Sequence, residues 1–381
     1  MFRLLVSDKK GRILDIPGID AAGMKAGCFF KPGREEFIKI PPGSRLFMLP
    51  GRMPVGYDTK TYEVRVLENY FAVAVFMSPG FTSTYSAAYT GFPLPRGGEG
   101  GVRGRNDILP LFCYTAAGFY KGDIYVTAVK VDRSSRHDPG FIDIGLVRKN
   151  TVKIKRIFPM NRLIGHLADC ALVHGCPGAQ NFFLSREECP LPTSPSCNAS
   201  CSGCISLKTQ PRIKFIPSPE EVAETALFYI HNLKNAVGGG RGRPLLSFGQ
   251  GCEGEPLLQA DLIEKSIRLI RKTTSQGIIN INTNASKPES ISRLFDIGLN
   301  SIRVSMNSVR KEYYERYYKP RGYDFQDVLS SIRAAKKKKG FVSVNYLTMP
   351  GFTDSKDEFK VFKEFIETYQ IDMVQWRNLN F

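Results

Sequence analysis

The sequence predicts an α/β fold, a partial (βα)6 parallel barrel preceded by a β-rich N-terminal domain, and three observations carry that reading. From Ser218 onward, short β-branched runs alternate with amphipathic helical patterns, which calls for crossover connections and a parallel sheet. Up to about Phe158 the chain instead shows short β-branched or aromatic runs punctuated by Gly and Pro. Between these regions stand Cys197, Cys201 and Cys204, spaced C-x3-C-x2-C behind a Pro-rich lead-in from Pro190 to Pro195. The division expected is a β-rich accessory domain of unassigned role over 1–190 and an α/β core over 191–381.

In the first region, strands are expected over 4–6, 12–16, 45–49, 62–67, 70–77 and 124–131, with turns at Pro41-Pro42-Gly43 and Pro50-Gly51. Gly97-Gly98-Glu99-Gly100-Gly101 marks a loop in which Arg96, Arg103 and Arg105 are placed to meet an anion. No strand-to-helix context follows it, so a surface loop is its ordinary explanation. Residues 159–175 carry Leu163, Leu167, Ala171 and Leu172 at helical spacing. Past the cysteines, Ser218-Pro219-Glu220-Glu221 forms a capping box with proline at the first helical position. Val222, Ala226, Tyr229, Ile230 and Leu233 then share one face, and Gly238-Gly239-Gly240 ends that helix. Strands over 245–248, 278–282, 301–306, 341–347 and 372–376 alternate with helices over 257–276, 289–296, 325–339 and 356–369. A short strand before Cys197 brings the series to six.

Composition narrows the class. The chain has 381 residues and is 42% apolar, enough to bury a core in each of two or three domains. The apolar run over 1–7 is too short for a signal peptide, and the run over 70–77 falls far below the ~20 residues of a membrane helix, so a cytoplasmic protein without a membrane span is expected. Nine cysteines are then expected to be reduced thiols, and their clustering argues for metal or redox chemistry before disulfides. Cys28 and Cys113 stand alone and read as buried packing residues, while Cys170, Cys176 and Cys189 show no tight ligand spacing. The formal charge of +17 invites a nucleic-acid reading, but 26 Lys and Arg against 17 Asp and Glu in 1–190, and 27 against 19 in the remainder, spread the excess evenly. The dense run Lys336 to Lys339 ends a helix, where cations suit the helix dipole.

In a parallel α/β barrel, chemistry is carried at the carboxyl ends of the strands. The cysteine loop occupies that place after the first strand, and Gly249-Gln250-Gly251-Cys252-Glu253-Gly254-Glu255-Pro256 occupies it after the second. Three converging thiolates hold a metal. A structural zinc wants four ligands, whereas an iron–sulfur cluster can be held by three with one iron left open.

The pairing of C-x3-C-x2-C with a later strand and Gly-Glu-Pro turn resembles the radical S-adenosylmethionine (radical SAM) superfamily, over about residues 191–381, and within it a subgroup with an N-terminal accessory domain. The resemblance implies that Cys197, Cys201 and Cys204 bind three irons of a [4Fe–4S] cluster whose fourth iron is chelated by SAM. It assigns Gly254, Glu255 and Pro256 to the SAM ammonium, and the chemistry is apt: carboxylate and carbonyl oxygens accept from an ammonium, and glycine lets the backbone approach. Thr283 and Asn284, with Ser305 and Asn307, stand where the superfamily touches the SAM carboxylate and ribose. Gln375, Trp376 and Arg377 stand where it often contacts adenine. The implied reaction is reductive cleavage of SAM to methionine and a 5′-deoxyadenosyl radical, which takes hydrogen from a substrate that no residue identifies. An electron donor such as a ferredoxin or flavodoxin is implied as partner. The Tyr/Phe-rich segment 81–92 of the first domain is the place expected for a substrate or partner determinant.

Two features depart from the family pattern. Gly203 stands where an aromatic is frequent, and Cys252 lies inside the glycine-rich turn, where it is open to completing a zinc site or to acting near substrate. Two other readings remain at this level. An RNA-modifying radical methyltransferase is suggested by the basic charge and by Gly254-Glu255-Pro256-Leu257-Leu258, but no cysteine follows Cys252 to carry the methyl group. A non-catalytic zinc module touching nucleic acid through its basic surface is the third.

Overall fold

Six parallel strands need an apolar face for the helices to cover, and the chain supplies one at every second position from Leu246 to Tyr346. The fold is taken from a computed structural model, which describes residues 1–91, 113–133, 140, 142–186, 188–204, 206, 213–235 and 243–378. The glycine-rich stretch with Arg96, Arg103 and Arg105, and the Gly238-Gly239-Gly240 break, lie outside the described residues.

The chain divides into two compact units, one of 1–140, 347–359 and 376–381, the other of 141–346 and 360–375. In the first, an eleven-stranded sheet includes Arg3–Ser7, Ile13–Ala21, Arg52–Asp58, Phe71–Phe76, Ala117–Tyr120 and Asp123–Lys130, and the pairings among these strands are antiparallel. Its main core buries Leu5, Val73, Val75, Met77, Cys113, Ala117, Val126 and Ala128. Cys113 is thus the packing residue expected. Cys28 is not; it is exposed, because it opens the short strand Cys28–Phe30, whose first and third residues both face solvent.

The second unit opens with three helices, α1 (Ile144–Ile157), α2 (Arg162–Leu172) and α3 (Pro177–Phe183). Strand and turn signals were expected as far as residue 158, so α1 is unanticipated. Its buried stripe is only Val147, Thr151 and Ile154, all three β-branched in a window rich in Ile, Val and Thr. Asp143 caps it by accepting from the Leu146 amide at 3.0 Å, and Asn161 caps α2 by accepting from the Ile164 amide at 2.9 Å.

The parallel sheet follows in simple order: β1 (Glu188–Pro190), β2 (Leu245–Phe248), β3 (Ile278–Thr283), β4 (Ser301–Met306), β5 (Phe341–Thr348) and β6 (Met373–Asn378). The pairings from β1 through β5 are parallel. The intervening helices are α4 (Pro219–Asn235), α5 (Ala260–Thr273), α6 (Pro288–Asp296), α7 (Lys311–Tyr318), α8 (Phe325–Lys337) and α9 (Lys356–Tyr369). This is the partial (βα)6 architecture the sequence predicts. The capping box at α4 forms as written: Ser218 Oγ accepts from the Glu221 amide at 3.2 Å, and the Glu221 carboxylate accepts from the Ser218 amide at 2.7 Å. No helix among the described residues is long and apolar enough to cross a membrane.

The grouping of residues differs from the division expected at 190. Helices α1 to α3 belong with the parallel sheet, because Asn161 Nδ2 donates to the Glu221 carbonyl at 3.0 Å and Arg162 pairs with Glu221 at 2.7 Å, tying α2 to the start of α4. Phe158, Phe182 and Tyr229 add aromatic packing around Phe228 and between α3 and α4.

Strand alternation gives the sheet two unlike faces. Leu246, Phe248, Ile279, Ile281, Ile302, Val304, Met306, Val342, Val344 and Tyr346 are fully buried on one, which the apolar stripes of the helices cover. The other carries Ser247, Asn280, Asn282, Ser301, Arg303, Ser305, Ser343 and Asn345. A parallel sheet buried for stability alone would be apolar on both faces.

Candidate cofactor site

The cysteine loop leaves β1 and is held on two sides. On the first, the buried carboxylate of Glu253 accepts from the amides of Thr193 at 2.7 Å and Ser194 at 2.9 Å through one oxygen, and of Gly249 at 2.6 Å and Gln250 at 2.8 Å through the other. One side chain therefore fastens the segment after β1 to the turn after β2. Two amides reinforce the join, as Gly254 donates to the Ser194 carbonyl at 2.7 Å and Glu255 to the Ser196 carbonyl at 2.9 Å. The approach is so close that a Cβ on Gly254 would collide with the Ser196 carbonyl. Gly249 is required for two reasons: its φ is +79°, and a Cβ there would strike the Asn282 carbonyl.

On the second side the loop is fastened by α7 and the residues after it. The amides of Ser200 and Ser202 donate to the carbonyls of Tyr318 at 2.9 Å and Tyr317 at 3.0 Å. Arg321 donates from its amide to the Asn198 carbonyl at 2.9 Å and from its guanidinium to the Cys197 carbonyl at 3.0 Å. Asn198 also joins the loop to the end of β3, since Asn284 Nδ2 donates to its Oδ1 at 2.8 Å while its own Nδ2 donates to Ser286 Oγ at 3.0 Å. All three cysteines are partly buried, and Cys201 is pushed up to about 12 by burial and by charge on Cys204 and Cys197. Burial, with its two neighbouring thiols, thus holds the Cys201 thiol protonated, and three thiols gathered in one loop are a donor set suited to a cationic metal centre.

Glu255 is buried, and burial pushes its carboxyl up to about 7 against the hydrogen bonds it accepts. Its Oε1 accepts from the Leu257 amide at 3.0 Å and from the Thr283 hydroxyl, and its Oε2 accepts from the Asn284 amide at 2.8 Å. One lone-pair direction on Oε2 is left for a further donor. Pro256 opens a 3-10 turn, Pro256–Gln259, capped by Glu255. Thr283, Asn284 and the Gly-Glu-Pro turn are thus one connected group. Ser305 lies on the polar face of β4. Asn307, just beyond β4, donates from Nδ2 to the Tyr313 carbonyl at 3.2 Å, and its buried Oδ1 has no partner. Gln375 Oε1 on β6 is likewise buried and unpartnered, as are Asn345 Oδ1 on β5 and Arg303 Nε on β4. Buried polar atoms without partners on one polar sheet face mark a surface made for a ligand.

The parts that motif reading missed are Glu253, Asn198, Arg321 and the polar face. Glu253 lies in the turn after β2, and its signal was an acid inside a glycine-rich turn, between Cys252 and Gly254. The polar face was legible as polar residues at every second strand position.

Residues 191–365 match the sequence model of the Radical SAM superfamily. Through that segment, a little under half of its length, the chain is similar to the radical SAM superfamily. Among curated relatives, the FeMo cofactor biosynthesis protein NifB of Klebsiella pneumoniae is 24% identical over 210 residues, covering 50% of this chain and 42% of that protein. Among solved structures, anSMEcpe with bound AdoMet is 19% identical over 51% of this chain and 52% of that one, with a TM-score of 0.39. Methylornithine synthase (PylB) is 16% identical over 62% and 64%, also at a TM-score of 0.39. The chain thus spans less than half the length of the curated relative and about half to two thirds of these structures. The superfamily's cofactors are a [4Fe–4S] cluster and SAM, and this chain's donors fit both: three thiols gathered in one loop for the cluster, and the Glu255 carboxylate with unpartnered buried oxygens at the ends of β4 to β6 for SAM.

Proposed function

We propose that the protein is a radical SAM enzyme that takes a hydrogen atom from a substrate bound over the polar face of β2 to β6. The carrying observation is the Glu253 clamp, which fastens the three-cysteine loop against the Gly254-Glu255-Pro256 turn. When bound, the cluster and SAM supply one-electron cleavage of the SAM S–C5′ bond and a hydrogen-abstracting radical. In this reading Cys197, Cys201 and Cys204 hold the cluster. The free direction on Glu255 Oε2 and the nearby carbonyls accept from the SAM ammonium. Ser305 and Asn307 orient the SAM carboxylate and ribose. A ferredoxin or flavodoxin is the proposed reductant.

Arg303 indicates the class of substrate. Its Nε is buried without a partner, and no ion pair to it is present among the described residues. A guanidinium on a polar face beside unpartnered amide oxygens suits a substrate with a carboxylate or phosphate group.

Anaerobic protein is expected to carry about four irons per chain, and to form 5′-deoxyadenosine and methionine with dithionite and SAM. Cys201→Ala is expected to lose both properties. A colourless wild-type protein, or a fully loaded one that leaves SAM intact, would refute the reading. Anion-exchange fractions of a metabolite extract should stimulate 5′-deoxyadenosine formation, and Arg303→Met should abolish that stimulation while leaving substrate-free SAM cleavage within twofold.

A further inference from the structure

A second group of metal-ligating side chains lies outside the cysteine loop. His166 and Cys170 sit one helical turn apart on α2, with His166 Nε2 and Cys170 Sγ 3.5 Å apart. Cys252 reaches the same point from the turn after β2, and the three ligand atoms all lie within 4.8 Å of one another. It is the one such group of three or more His, Cys, Asp or Glu among the described residues. Cys170 is buried, and His166 and Cys252 are partly buried. The fourth thiol in the neighbourhood is Cys176, outside that 4.8 Å group, whose amide donates to the Cys170 carbonyl at 2.9 Å and whose thiol faces the Gly178 and Ala179 amides at the start of α3.

The spacing selects the ion. Ligand atoms on one tetrahedral zinc stand about 3.3–3.8 Å apart, given bonds of about 2.0–2.3 Å. The thiolates of a cubane sit on separate irons and stand wider apart. One imidazole and soft thiolates also suit zinc in preference to magnesium or calcium. The backbone holds the donors in place without the ion. Cys252 is fixed by the Ile213 amide, which donates to its carbonyl at 2.9 Å, and the His166 ring meets Phe215 edge to face at 6.2 Å.

We propose that His166, Cys170 and Cys252 bind one zinc(II) ion, with Cys176 as the fourth ligand. The thiols release their protons to solvent on binding, and no oxidation or reduction is involved. The ion joins α2 to the turn that also holds Glu253 and Gly254, so it acts as a clip on the back of the candidate SAM turn. The site stands on its own residues, whether or not the radical chemistry proposed above is found.

The test is metal analysis of the full chain, purified without oxygen. Wild type is expected to hold one zinc per chain after dialysis against zinc and removal of the excess. The variant Cys197→Ala/Cys201→Ala/Cys204→Ala, which lacks the cluster ligands, should keep it; Cys170→Ser and Cys252→Ser should lose it. Cobalt(II) added to the triple variant should give the intense visible spectrum of a four-coordinate thiolate site, a measurement that survives if the serine variants fail to fold. Zinc removal should speed hydrogen exchange over 249–256. Cys176→Ser should weaken zinc binding at least tenfold in chelator competition, and an unchanged affinity would overturn its role as fourth ligand. Less than a tenth of an equivalent of zinc, retention of zinc by Cys252→Ser, a six-coordinate cobalt spectrum, or a Cys170–Cys252 disulfide in anaerobic protein would each overturn the site.

Discussion

Glu255 shows how one buried acid links stability to pH. Its folded pKa, about 7, lies above its ordinary value of 4.5, with burial as the main cause, so the folded state holds a proton that the unfolded chain gives up. Stability is therefore full below about pH 4.5 and falls as pH rises towards 7, by about 3 kcal/mol over the window. Burial pushes Glu253 in the same direction. The expected outcome is a urea midpoint that declines from pH 4.5 to 7 in wild type and declines less in Glu255→Gln, measured by circular dichroism. Gly254→Ala has a different cause and a larger effect. Its methyl would displace the Ser196 carbonyl and break the amide pair joining the two loops, so the variant should purify with less than a tenth of the wild-type iron even if it folds.

At the scale of elements, the helices that motif reading predicted are those with wide apolar stripes and clear caps. The helix expected over 356–369 is α9 to the residue, and α4 begins at its capping box. Helices α1 and α7 escaped for physical reasons. The first has a narrow stripe, and the second, Lys311–Tyr318, is dense in tyrosine and buries only Tyr314 and Tyr318. Yet α7 is what holds the far side of the cysteine loop. Glu221 serves two elements, capping α4 and receiving Arg162 of α2. Glu221→Ala is expected to cost about 1–2 kcal/mol, mostly through the lost cap because Arg162 is largely exposed, read as a lower urea midpoint at unchanged m-value.

For the whole molecule, the placement of α1 to α3 decides what can be separated. A fragment of 141–381 keeps these helices, strand β1 and the Arg162–Glu221 link, and should melt more cooperatively and load more iron than a fragment of 191–381, which loses all of them. The opposite ranking would mean that the boundary near 190 describes the folding unit better. The charge of +17 has no comparable structural consequence, because it is spread over the chain and 14 ion pairs, most of them exposed, are present among the described residues.

The sequence by itself determined the alternation of strands and helices, the three-cysteine loop after the first strand and the Gly-Glu-Pro turn after the second, because periodicity, caps and short motifs are local properties of the chain. Tertiary structure decided the rest. Glu253 became a clamp only when four amides from two separate segments converged on it. His166, Cys170 and Cys252 became a ligand set only when α2 and the turn after β2 came together across more than eighty residues of chain. Spacing along a sequence records which groups a loop can bring together, whereas these groups meet because the helices pack beside the sheet.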